Sequence, residues 1–316
     1  MNILLNFVFL IVGFALLIKG ADIFVDSASA IAKRLRIPSM VIGLTVVSMG
    51  TSLPEASVSI AGSLSGANEI AISNVIGSNL FNVLIVAGLA AVLRPIAIEK
   101  STLKVDFPVC IAASILMILM CLGFNAPGVL SHLDGIILFG LMIAYICFLI
   151  KTTKDYQASL QEEEYHGQAL WKSIVFGILG VAAIIWGGDL TVDSAEKIAA
   201  FFGMSETLIG LTVIAVGTSL PELVTSVMAI RKGENDIAIG NVIGSNIFNI
   251  LFVLGMSAAI SPIPVAQVAI IDGTVMLGVM FLSYALCATA KILGKKEGAL
   301  MVLLYIAYMV YAIIRN

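Results

Sequence analysis

Charge is what this sequence has least of: 12% of its 316 residues are Asp, Glu, Lys or Arg. So little polar surface cannot cover a soluble globule of this length, and a water-soluble fold is excluded. The net charge of −3 supplies no basic field, which argues against nucleic acid as a partner. Soft metal ligands are equally scarce, with 2 His and 4 Cys in the whole chain. Cys110, Cys121, Cys147 and Cys287 stand singly in apolar runs without metal-type spacing, and are expected to be small buried hydrophobes with no disulfide. His132 falls at the start of an apolar run and His166 in a polar loop, both ordinary places for an interfacial or solvated side chain. A P-loop, a dinucleotide fingerprint and an HExxH motif are all missing, so ATP-driven pumping and metalloprotease chemistry have no support, and no cofactor is expected.

What is present is apolar length. Hydrophobic residues make up 60% of the chain and the mean hydropathy is +1.08. Runs of about 20 residues recur, the length a helix needs to cross roughly 30 Å of hydrocarbon, while alternating ten-residue barrel strands are absent. The expected fold is therefore all-α and integral to a membrane, with the lipid bilayer as its surroundings and about ten transmembrane helices near 3–24, 38–62, 69–93, 105–123, 132–150, 171–190, 205–230, 236–260, 266–290 and 298–314. The first run, Ile3 to Ile18, lacks a basic region ahead and a small-residue cleavage site behind, so it reads as a retained span and not a signal peptide. The long polar connection from Lys151 to Lys172, with Glu162, Glu163 and Glu164, reads as a solvated linker over 151–170 between a first five-helix unit, 1–150, and a second, 171–316.

Those two units are copies. GLTVVSMGTSLPE, Gly43 to Glu55, returns as GLTVIAVGTSLPE, Gly210 to Glu222, and the same offset of 167 residues carries Asp22 onto Asp189, Asp26 onto Asp193, Gly77 onto Gly244, Asn82 onto Asn249 and Pro95 onto Pro262. An odd number of spans in each copy makes the second enter the membrane from the opposite side, giving two inverted-topology repeats. The basic residues test this independently. Of 17 Lys and Arg, 14 fall in the connections after spans 1, 3, 5, 7 and 9, which places those connections, including the central linker, in the cytoplasm and both termini outside a multi-pass cell (inner) membrane protein.

Two motifs in each copy, spanning 43–82 and 210–249, put polar groups at membrane depth, where a carboxylate costs roughly 2.5 to 3.5 kcal/mol on insertion scales. In GTSLPE, Pro54 and Pro221 remove a backbone donor and Gly50 and Gly217 loosen the turn, so the helix should kink or break beside Glu55 and Glu222. Freed carbonyls are tolerated there only if they are buried in protein or face a watery cavity. Thr51 and Glu55, like Thr218 and Glu222, stand four apart and are expected on one helix face. In the second motif, SNVIGSNLFN and its copy GNVIGSNIFN, Ser78 and Asn82, with Ser245 and Asn249, are also four apart, and Asn74 and Asn241 continue each row. Alone, such small and amide residues are as readily packing glue between helices. Beside two intramembrane glutamates they form an oxygen-only donor set suited to hard cations such as Ca²⁺ or Na⁺ and unsuited to zinc, copper or iron. Asp22 and Asp26, with Asp189 and Asp193, lie near the expected ends of spans 1 and 6, where they would cap a helix or face water.

GTSLPE with GSNLFN, and GTSLPE with GSNIFN, resemble the two alpha repeats of the calcium/cation antiporter superfamily, most closely its prokaryotic sodium/calcium exchangers. The likeness covers both repeats and nearly the whole chain. It implies a secondary transporter, not an enzyme, exchanging Na⁺ for Ca²⁺ by alternating access, electrogenically, with spans 1 and 6 sliding against a core of repeat helices. Matched by motif position, the implied ion ligands are Glu55, Glu222, Thr51, Thr218, Ser52, Ser219, Ser78, Ser245, Asn82 and Asn249, with backbone carbonyls near Ser48 and Ala215. Asn249, where potassium-dependent exchangers carry Asp, resembles the potassium-independent pattern, and the lack of any repeat His counts against proton coupling. The alternatives are a K⁺-dependent or H⁺-coupled divalent cation antiporter, a passive cation channel through oxygen-lined repeats, and a membrane enzyme using the two glutamates as acid and base. The last lacks an accompanying nucleophile or cofactor motif.

Overall fold

A computed structural model describes residues 3–123, 128–159, 169–204 and 215–315. Over these residues the chain is helical apart from four two-residue strands. The first half comprises α1 (Ile3–Leu35), α2 (Ser39–Thr51), α3 (Leu53–Ser65), α4 (Glu69–Leu93), β1 (Ile96–Ala97), α5 (Thr102–Cys121), β2 (Val129–Leu130) and α6 (His132–Ser159). The second comprises α7 (Leu170–Phe201), a short turn at Ala215–Gly217, α8 (Leu220–Lys232), α9 (Asn235–Ile260), β3 (Ile263–Pro264), α10 (Gln267–Ala290), β4 (Ile292–Leu293) and α11 (Lys295–Arg315). Gly66 and Gly233, at φ of 84° and 80°, end α3 and α8 in the left-handed conformation that costs glycine nothing.

Among the described residues eight helices are long and apolar enough to cross a membrane, and the bent pair of α2 and α3 makes a ninth if taken as one span. The start of the expected seventh span, 205–214, lies outside the described residues; α8 is its second part. Elsewhere the helices follow the expected runs, with three overshooting them. α1 continues to Leu35, α7 to Phe201 and α6 to Ser159, the last into the stretch read as linker. Asp22 and Asp26 therefore do not sit at a helix end but inside α1, where Lys232 Nζ reaches Asp22 Oδ1 at 2.7 Å and Asp26 Oδ1 at 2.6 Å. Paired in this way, carboxylates do not stop a helix.

Burial separates the centre from the periphery. The apolar stretch of α9 is 94% buried inside the protein and that of α4 78%, against 22% for α1 and α11, so the outer helices turn most of their surface to lipid. α1 and α7 lie antiparallel through glycines: a Cβ on Gly20 would come 2.9 Å from the Gly180 carbonyl oxygen, and one on Gly13 would meet the Gly187 carbonyl at 2.9 Å. α2 crosses α9 in the same manner, since a Cβ on Gly43 would stand 2.8 Å from the Ile237 oxygen and one on Gly244 2.7 Å from Leu44.

The strands tie the halves together reciprocally. β1 pairs antiparallel with β4 (Ile96 with Leu293, Ala97 with Ile292), and β2 with β3 (Val129 with Pro264, Leu130 with Ile263). A connection of one half thus meets a connection of the other in each sheet.

Candidate functional site

The break between α2 and α3 falls at Ser52, whose φ of −87° and ψ of 11° leave the helical region and bend the path by 50°. Ser219, at φ −94° and ψ 5°, likewise leaves the helical region ahead of α8. Both breaks lie two residues before the proline. Pro54 and Pro221 instead occupy the first turn of the following helix, where a missing N–H has no partner to lose. Each glutamate then stands at the third position of a helix, close to the positive end of its dipole.

S-x-x-E at a helix start is the pattern of a capping box, in which the serine accepts the N–H of the third residue. Neither Ser52 nor Ser219 caps its own helix. Each donates its hydroxyl across the molecule: Ser52 Oγ to Glu222 Oε1 at 2.7 Å, and Ser219 Oγ to Glu55 Oε1 at 3.1 Å. Glu55, Glu222, Ser52 and Ser219 are all fully buried.

α4 and α9 close the site from the other side, with their own exchanged pairs. Asn82 Nδ2 donates to Asn246 Oδ1 and Asn249 Nδ2 to Asn79 Oδ1, both at 3.2 Å. Asn79 Nδ2 reaches the Asn246 carbonyl at 3.3 Å, and Asn246 Nδ2 the Asn79 carbonyl at 3.5 Å. With their NH₂ groups held by the opposite helix, Asn82 and Asn249 keep their Oδ1 atoms unpaired. Both helices make a π turn at this point, Asn82–Val86 and Asn249–Leu254, a local widening that recurs at functional sites.

The remaining expected ligands divide. Ser78 Oγ lies 3.5 Å from Glu55 Oε1, and Ser245 Oγ is buried without a partner. Thr51 and Glu55 are not on one helix face as their spacing suggested, because the break at Ser52 puts them on α2 and α3; the Thr51 hydroxyl turns to Asn241 Oδ1 at 3.0 Å. Thr218 lies in the corresponding turn, its Oγ1 buried and unpaired. The Ser48 carbonyl already accepts the Ser52 N–H at 3.0 Å, which leaves it less free than expected. Ala215 opens the short turn before Gly217. Asn74 and Asn241 brace the glutamate-bearing helices from behind, through Ser59 at 3.0 Å and Ser226 at 2.9 Å.

Asn79 and Asn246 were not singled out by the sequence reading. Their signal was the second letter of the repeated SN pair, three residues ahead of Asn82 and Asn249.

Both halves thus contribute buried oxygens without a hydrogen-bond partner: Glu55 Oε2, Glu222 Oε2, Asn82 Oδ1, Asn249 Oδ1, Ser245 Oγ and Thr218 Oγ1. Buried acceptors without partners cost free energy, about 1–3 kcal/mol each and more when charged. Among the described residues no Lys or Arg pairs with either carboxylate, and no cluster of three His, Cys, Asp or Glu offers a softer metal site. Oxygen donors of this kind are the ligands that hard cations take.

Fold and site define a polytopic helical transporter whose buried acidic centre is assembled from two copies of one motif. The sodium/calcium exchanger protein family matches residues 5–151 and 172–314, and the chain belongs to that family. It is 40% identical over 287 residues to the inner membrane protein YrbG of Escherichia coli K12, covering 88% of this chain and 87% of that one. It is 36% identical over 348 residues to the sodium/calcium exchanger MaX1 of Methanosarcina acetivorans, covering 98% of each. A solved structure of the sodium-calcium exchanger NCX_Mj, soaked with Na⁺ and no Ca²⁺, matches with a TM-score of 0.85 at 32% identity over 98% of this chain and 99% of that one. The family resemblance read from the alpha repeats is borne out: this is a multi-pass membrane antiporter of the exchanger family, with the fold of a transporter rather than an enzyme.

Proposed function

We propose that the chain exchanges Na⁺ for Ca²⁺ by alternating access at the centre between Glu55 and Glu222. The observation that carries this is the crossed serine–glutamate pair, which ties one oxygen of each buried carboxylate to the opposite repeat and leaves the other unpaired. Two carboxylates balance one Ca²⁺, and Ca²⁺ takes 6 to 8 oxygens. The ligands would be Glu55, Glu222, Thr51, Thr218, Ser52, Ser219, Ser78, Ser245, Asn82 and Asn249, with carbonyls near Ser48 and Ala215. Na⁺ ions filling the same oxygens exclude Ca²⁺, and more than two Na⁺ for each Ca²⁺ makes the exchange electrogenic. Asn249 in place of an acid supports independence from K⁺.

The same reading takes the chain as ten spans in two inverted five-helix repeats, 1–150 and 171–316, joined by a cytoplasmic linker, with both termini outside the inner membrane. The strand pairs support it. β1 and β4 follow the expected third and ninth spans, and β2 and β3 the fourth and eighth, so each sheet joins two connections of the same parity.

Vesicles containing the purified protein and loaded with Na⁺ should take up Ca²⁺ when diluted into Na⁺-free medium, equally with and without K⁺, and faster with a membrane potential that favours the net charge movement. Uptake that ignores the Na⁺ gradient would end the proposal, as would single-channel currents.

A further inference from the structure

Lys232, the last residue of α8, and Glu234, in the turn before α9, hold α1 by a line of polar contacts. Lys232 Nζ reaches Asp22 Oδ1 and the Asp22 carbonyl oxygen, both at 2.7 Å, and Asp26 Oδ1 at 2.6 Å. Glu234 Oε1 accepts the Ser29 hydroxyl at 2.5 Å and Lys33 Nζ at 3.2 Å. Asp22, Asp26, Ser29 and Lys33 follow one another by four, three and four residues, so they run along one face of α1 for about 16 Å. They border an open polar recess of about 400 Å³, which gives water access to the contacts and lets them be released.

The other repeat lacks this device. At the 167-residue offset Lys232 becomes Ser65 and Glu234 becomes Ala67, while Ser29 and Lys33 become Glu196 and Ala200. The Ser65 hydroxyl returns to the Gly62 carbonyl of its own helix at 3.1 Å. Among the described residues no ion pair or side-chain hydrogen bond joins α7 to α3 or to the turn that follows it. The α1–α7 pair is therefore fastened by one repeat and not by the other.

Neither α1 nor α7 supplies one of the ligands proposed above, yet the pair leans on both helix breaks. A Cβ on Gly50 would stand 3.1 Å from Phe24 of α1 and 3.2 Å from Val181 of α7, and one on Gly188 of α7 would stand 3.7 Å from Pro221. Alternating access around a fixed site moves one group of helices against another. This pair can shift without dismantling the site.

We infer that Lys232 and Glu234 form a one-sided latch that favours the conformation closed towards the α8–α9 turn. The inference rests on the exchange proposed above and on its orientation, in which that turn is cytoplasmic, so the latch shuts the cytoplasmic side. Apparent affinity falls with the fraction of protein in the state that admits the ligand. The latch thus weakens apparent Ca²⁺ binding from the cytoplasm and leaves binding from outside nearly unchanged.

Vesicles holding the purified protein in one known orientation test this, with the Ca²⁺ concentration for half-maximal exchange read at each face. Lys232→Gln should lower the cytoplasmic value by about 2- to 5-fold and leave the outer value in place. Ser65→Lys, which offers Asp189 and Asp193 the cation they lack, should favour closure of the outer side and so lower the cytoplasmic value as well. That effect falls on the face remote from the new charge, where a local change of surface potential has none. A cytoplasmic value unchanged in either variant, or a Lys232→Gln shift that is equal at both faces, overturns the latch and leaves the exchange standing. A wild type that exchanges no Ca²⁺ for Na⁺ removes both.

Discussion

Ser52 and Glu222 stand 170 positions apart in the sequence and 2.7 Å apart in space, joined by a hydrogen bond that the local capping pattern would have kept within α3. Its mirror, Ser219 to Glu55, makes the arrangement reciprocal. Exchanged contacts of this kind are what a two-fold relation between two like units produces. They also mean that neither repeat completes the site by itself.

Replacing either carboxylate should remove the charge that Ca²⁺ requires while leaving the fold intact, because Gln keeps the shape. Glu55→Gln and Glu222→Gln are each expected to lower Na⁺-driven Ca²⁺ uptake by more than about 100-fold, beyond what loss of an outer-shell contact does. Elution as a single species on size exclusion checks that folding survives.

The crossed hydroxyls make a weaker and more diagnostic test. A hydrogen bond to a charged group contributes about 1.5–3 kcal/mol. Ser52→Ala should therefore weaken Ca²⁺ binding roughly 10- to 100-fold, and so should Ser219→Ala. In a double-mutant cycle, Ser52→Ala should couple to Glu222→Gln and not to Glu55→Gln if the bond in the structure governs the pairing.

Asn79 and Asn246 hold the amides of Asn249 and Asn82, so their effect on the ions is indirect. Asn79→Ala and Asn246→Ala should raise the Ca²⁺ concentration for half-maximal uptake by about 10- to 100-fold. Unchanged affinity in both variants would show that the π turns alone orient Asn82 and Asn249.

Close helix crossings predict where volume is forbidden. Gly43→Val would drive a side chain into the Ile237 backbone at 2.8 Å and should abolish recovery of folded protein. Gly140→Val, on the exposed side of α6 with nothing within 4 Å, should be recovered in wild-type yield.

Lys232 binds Asp22 and Asp26 within α1, yet its counterpart one repeat earlier is Ser65, and among the described residues Asp189 and Asp193 gain no equivalent cation. Lys232→Gln should speed hydrogen exchange in the middle of α1 severalfold and leave α7 unaffected. The pairs are part-exposed, so global stability should fall by no more than about 1 kcal/mol.

Hydropathy and the 167-residue repeat, both readable without coordinates, determined that this chain is a helical membrane protein in two like halves with a pair of intramembrane glutamates. Burying long apolar runs leaves few choices, and a carboxylate kept twice at membrane depth marks its own position. Three-dimensional packing alone decided which groups meet. The S-x-x-E pattern foretold a local cap, and it is the crossing of the halves that turns each serine toward the other's glutamate. The i, i+4 spacing of Thr51 and Glu55 promised a shared face, but the helix ends between them. Partner choice for a buried polar atom depends on what the rest of the chain brings within 3 Å, and sequence spacing carries that information only while the helix stays unbroken.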